Sequence, residues 1–158
     1  MSNIFDLIIK NGKVYYNNKF QISNIIINKG KIIKLTKDIK SYKTRKIINA
    51  KNKIIIPGII DIHFHIRAPS FPERGTVETE TKAAAKGGIT TLFEMPISNP
   101  CMSNSKVFLS RKNHFAKNTF INFAFIPALG KLNKSNLQGL IKSGAIAFKV
   151  FTISPPPN

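Results

Sequence analysis

At 158 residues, with 42% apolar and 20% charged content, the chain is globular in composition and long enough for one domain of ordinary size with a buried core. The formal charge of +18 would suit a polyanionic partner, yet only four of the 25 basic residues are arginines, and the lysines are spread singly from Lys10 to Lys149 without a basic block, so no nucleic-acid role is expected. The N-terminus MSNIFDLIIK has no signal-peptide pattern, no apolar run approaches a membrane span, and the lone Cys101 excludes an internal disulfide, all of which lead us to expect a cytoplasmic protein without membrane contact.

Residues 1–56 read as short strands: IFDLIIK, then KVYY after an Asn11-Gly12 turn signal, then ISNIIINKGKIIKLT with a hairpin turn at Lys29-Gly30, then KIINAKNKIIIPG. They make a sandwich-like β segment rather than a self-sufficient domain. After Pro57-Gly58 the period changes. GIIDIHFHI is apolar enough for a buried parallel strand, and TVETETKAAAKGG is helical, with Thr76 as N-cap and Gly87 as its stop. ITTLFEMP is the next strand, ended by Pro96. SNSKVFLSRKNHFAKN is a second helix, TFINFAFIPAL a third strand, NKSNLQGLIKSG a third helix stopped by Gly144, and AIAFKVFTI a fourth strand running into SPPPN. This βαβαβαβ order predicts a parallel sheet with right-handed crossovers. Residues 57–158 are then the first half, four βα units, of a (β/α)8 barrel, a fold that needs about 250 residues in full.

Strand residues two apart share a face, so His63 and His65 can present both imidazoles beyond the C-terminal end of their strand, where barrels of this kind place their active sites. A His-x-His pair alone is also compatible with ordinary hydrogen-bonded histidines. Asp61 shares their parity, either as an acceptor behind the site or as a plain polar residue. Lys149 lies in an otherwise apolar strand. It either snorkels from the strand end or is desolvated enough to react with carbon dioxide, giving a carbamate that bridges two metal ions.

The segments PGIIDIHFHIR, ETETKAAAKGGITTLFEMPISNP and GAIAFKVF, in this order behind a β-rich N-terminus, resemble the signature segments of the cyclic amidohydrolases, the family of dihydroorotases, allantoinases and dihydropyrimidinases. The resemblance spans nearly the whole chain. It implies a binuclear site, usually zinc, with His63 and His65 on one ion and carboxylated Lys149 bridging both. The two ions would polarise a ring amide carbonyl and acidify a water. The family also uses two later histidines and a general-base aspartate on the eighth strand, and nothing in this sequence matches them; His114 falls in the second helix and reads as a surface residue. The implied partner is a small cyclic amide, and the intact protein is expected to be a homo-oligomer.

Arg67 completes a His-x-His-x-Arg pattern typical of dihydroorotases, where the arginine forks onto a substrate carboxylate; its alternative is a surface ion pair with Glu73 or Glu78. Where dihydroorotases commonly carry an asparagine after Met-Pro, this chain has Ile97, with Asn99 nearby as a second candidate substrate contact. MPISNP and FKVFTISPPP look closer to allantoinase-like members. Glu94, near the end of its strand, either supports the site from behind or is a solvent-facing or loop-capping residue, and Glu78 and Glu80 read as first-turn acids of their helix. The competing expectation to a hydrolase is a non-catalytic fragment, because a half-barrel has open edges and an incomplete second metal site.

Overall fold

The computed structural model describes residues 4–130 and 134–152, which fall into two compact units, Met1–Pro57 and Gly58–Asn158. The SPPPN tail lies outside the described residues. Among the described residues no helix is long and apolar enough to cross a membrane.

The first unit is all β: β1 (Ile4–Phe5), β2 (Leu7–Tyr16), β3 (Lys19–Asn28), β4 (Lys31–Thr36), β5 (Lys43–Thr44), β6 (Ile47–Asn49) and β7 (Ile54–Ile55). β2, β3 and β4 form an antiparallel meander, to which β6 and then β7 add in parallel along β2. Lys29-Gly30 turns β3 into β4 with φ of 49° and 70°, the paired positive φ that a tight primed hairpin turn requires. Asn11-Gly12 behaves differently from its sequence signal. It lies inside β2, where the register against β3 shifts between Ile9 and Gly12, so the left-handed Asn11 (φ 65°) makes a bulge instead of a turn. The hairpin turn falls at Asn17-Asn18, both at positive φ, a conformation asparagine tolerates better than most side chains.

The second unit runs β8 (Ile59–Phe64), α1 (Val77–Lys86), β9 (Ile89–Glu94), α2 (Ser105–Asn118), β10 (Asn122–Phe125) and α3 (Lys134–Ser143). Thr76 caps α1 reciprocally: its side chain accepts from the Thr79 N–H while the Thr79 hydroxyl accepts from the Thr76 N–H. At the far end Gly87 closes the last turn, and Gly88, at φ 90°, takes the left-handed step into β9. The three strands form a parallel sheet in the order β10-β9-β8. Its core is apolar and aromatic: Leu92 and Phe125 from the sheet meet Val77 of α1, Phe108 and Phe115 of α2, and Leu140 of α3. Phe115 and Phe125 pack edge to face with ring centres 4.9 Å apart.

Two expectations need adjusting. β8 is not buried, since Ile59, Ile60 and Ile62 are all exposed; as the sheet edge it is paired by β9 on one side only. Among the described residues the fourth strand is reduced to one parallel bridge between Ala128 and Lys149, with the Lys149 N–H donating to Pro127 O and the Leu129 N–H donating to Lys149 O. Pro127 has no N–H to offer, so a regular ladder cannot extend along this edge.

Candidate active site

Of the residues singled out in the sequence, His63, His65, Arg67 and Glu94 lie at or just beyond the C-terminal ends of β8 and β9, with Lys149 close to His65, and the backbone there is irregular. β8 pairs Asp61 with Leu92 but Phe64 with Glu94, one residue too many, so a bulge sits at Ile62-His63. Bulges of this kind re-aim side chains next to functional sites. The Asp61 carboxylate accepts from the His63 N–H at 2.9 Å, which fixes the bulge locally. Asp61 therefore holds backbone, a role its strand parity did not reveal.

Beyond the bulge the His63 and His65 rings stand 5.2 Å apart, tilted by 50°. Two imidazoles on one tetrahedral zinc ion, with Zn–N near 2.1 Å, put their ring centres about 5 Å apart, so the separation of the two rings matches that of a shared ion's ligands. Loss of hydration pulls the His65 imidazole below its ordinary pKa, and the neighbouring positive charges of Arg67, His63 and Lys149 act in the same direction. The neutral imidazole is the form that ligates a metal. Lys149, half-buried, is thus close enough to act on His65 electrostatically, and its ammonium also lies 5.7 Å from the centre of the Phe151 ring. Among the described residues no three His, Cys, Asp or Glu side chains converge on one point. The gathered donor set is two imidazoles and an amine, which suits one metal and part of a second.

Arg67 is half-buried, with φ of 61°. A left-handed conformation costs an L side chain roughly 1–2 kcal/mol, so something must hold it. That group is Glu94, fully buried at the end of β9, whose two carboxylate oxygens accept from the consecutive N–H groups of Ile66 and Arg67, each at 2.8 Å. Successive N–H groups converging on one anion form a nest. Burial pushes the Glu94 carboxyl up to about 7, against the pull of those two hydrogen bonds and of Arg111 and Arg67. Arg111 of α2 is only 4% exposed; one of its nitrogens lies 4.0 Å from a Glu94 oxygen and donates to Ala68 O. Neither the Arg67 pairing with Glu73 nor that with Glu78 forms among the described residues: Glu78 pairs with Lys82, and the Arg67 Nε is buried without a partner. Asn99 is exposed on the loop after β9, and Ile97 before it is half-buried. His114 is half-buried in α2.

Arg111 was not singled out in the sequence, although a signal existed. Phe108, Arg111 and Phe115 follow a 3-then-4 spacing and are the buried residues of α2, so this arginine sits on the core-facing stripe.

A histidine pair and an arginine thus stand at the strand ends of a parallel sheet, with a lysine close to the second histidine. The chain belongs to the family described as Dihydro-orotase-like, which matches residues 52–149. It is 35% identical over 148 residues to the allantoinase of Escherichia coli (strain K12), covering 93% of this chain and 32% of that protein. Among solved structures it superposes on the L-hydantoinase (dihydropyrimidinase) from Arthrobacter aurescens with a TM-score of 0.86 and 29% identity, covering 92% of this chain and 32% of that one. The D-hydantoinase (dihydropyrimidinase) from Thermus sp. gives a TM-score of 0.75 and 27% identity over 90% of this chain and 32% of that one. The chain thus spans about a third of the length of the relatives it matches.

Proposed function

We infer that this chain carries the first part of the active site of a metal-dependent cyclic amidohydrolase, which hydrolyses a ring C–N bond in a small cyclic amide. The observation that carries the reading is the 5.2 Å apposition of the His63 and His65 rings beside Lys149. In this reading the parallel sheet of β8, β9 and β10, with the bridge at Lys149, opens a (β/α)8 barrel. His63 and His65 would hold one zinc ion, and Lys149, once carboxylated, would contribute to holding both. Bound zinc supplies Lewis acidity for the ring carbonyl and for water. The chain's own residues do the rest of what is present here: Arg67, with a buried Nε that lacks a partner, binds and orients a substrate carboxylate, and Asn99 offers a polar contact from the next loop. The remaining metal ligands and the general-base aspartate belong to sequence beyond these residues, and the intact protein is a cytoplasmic homo-oligomer in this account.

A carboxylate-bearing ring of the dihydroorotate type follows from Arg67. A ureide ring of the allantoin type is the second reading, supported by the 35% identity to an allantoinase and by Ile97 where a polar contact is expected. Hydrolysis of dihydroorotate, allantoin and dihydrouracil by the intact protein decides between them. Arg67→Ala should impair only the carboxylate-bearing ring; an equal effect on neutral rings removes the dihydroorotase argument, and no turnover of any ring by the wild type leaves a non-catalytic protein.

A further inference from the structure

We propose that Glu94 is a positioning residue: by accepting the consecutive N–H groups of Ile66 and Arg67, it locks the turn after β8 and so aims Arg67 beside His65. The inference rests on the reading of Arg67 as the substrate-orienting arginine, but its geometry stands independently of any substrate. Three observations converge. Each Glu94 oxygen accepts from a backbone donor at 2.8 Å and the side chain is fully buried, so the contacts it makes here are those of a clamp. The residue clamped is the one at left-handed φ, 61°, in this turn. Arg111, reaching in from α2, binds the next carbonyl along, Ala68 O, and stands 4.0 Å from the same carboxylate, so the turn from Ile66 to Ala68 is gripped at three consecutive residues by one buried ion pair. Sheet and helix together thereby fix, by polar contacts, a turn whose Ile66 and Ala68 side chains are already anchored in the core. Arg67 reaches the site through its side chain, whereas Glu94 acts only through Arg67.

The test uses two variants of the intact protein, so that poor folding of one leaves the other to decide. Glu94→Asp keeps the charge opposite Arg111 but withdraws both oxygens by one methylene. Glu94→Gln keeps the reach but turns one acceptor into a donor facing a backbone N–H. Amide hydrogen exchange at Ile66 and Arg67 should accelerate about tenfold or more, while exchange in β9 and β10 stays at the wild-type rate. In turnover, KM for a carboxylate-bearing ring (dihydroorotate) should rise about tenfold with kcat less affected, and KM for a neutral ring (dihydrouracil) should not change. A purely structural role would raise exchange throughout the sheet and move both rings together; either result, or unchanged exchange at Ile66 and Arg67, overturns the proposal. If the wild type turns over neither ring, the reading of the function fails while exchange still decides the clamp.

Discussion

Glu94→Gln should change how the protein's stability depends on pH, and by a predictable amount. Burial raises the folded-state carboxyl from 4.5 to about 7, so between those values the folded protein binds more protons at this site than the unfolded chain does. Stability from this group is therefore full below pH 4.5 and is lost as the pH rises through 7. At 1.36 kcal/mol per pKa unit, the loss amounts to about 3 kcal/mol. His65 works in the opposite direction: its depressed folded pKa means stability grows as the pH climbs through the ordinary histidine range. A wild-type profile alone would mix the two. The difference between wild type and Glu94→Gln, taken from urea unfolding at a series of pH values, cancels the histidines and leaves Glu94. That difference should shift by about 3 kcal/mol in favour of the glutamine variant between pH 4.5 and pH 8. A flat difference across this range would refute the argument, since it would mean that the two N–H donors and Arg111 hold the carboxylate at an ordinary pKa.

Two further outcomes test the packing that carries the site. Phe115→Ala removes a fully buried ring that meets Phe123 and Phe125, and should cost about 3–5 kcal/mol in a thermal or urea unfolding experiment; a loss below 1 kcal/mol would mean the aromatic cluster is not the core. Gly58→Ala drives a Cβ into the Thr90 side chain, so β8 must shift against β9 and the melting temperature should fall; restoring space with Thr90→Ala in the same chain should recover most of the loss, and additive effects of the two changes would contradict the contact.

Much of the second unit could be read from the sequence because its signals are local. The Thr76 cap, the stop after Gly87 and the left-handed Gly144 (φ 106°) are set by the chemistry of single residues, and the helices formed where those residues allow. What escaped depends on pairing across the sheet. Nothing adjacent to Asn11-Gly12 says that β2 continues through it as a bulge, and the exposure of β8 follows from its place at the sheet edge. The fourth strand fails as a ladder because Pro127, some twenty residues earlier, lacks a donor. At the site, the His63–His65 pairing was legible from a spacing of two. Glu94 was legible only as a residue that supports the site or caps a loop, and Arg111 only through its place on the core-facing stripe of α2; that the two meet at the turn carrying Arg67 is settled only when the fold buries both.

The central claim is that His63, His65 and Lys149 hold metal, and metal analysis of the intact protein tests it directly. Zinc copurifying with the wild type should fall sharply in both His63→Ala and Lys149→Ala, with the protein still folded by circular dichroism. Unchanged metal content in both variants would contradict the site and, with it, the hydrolase reading.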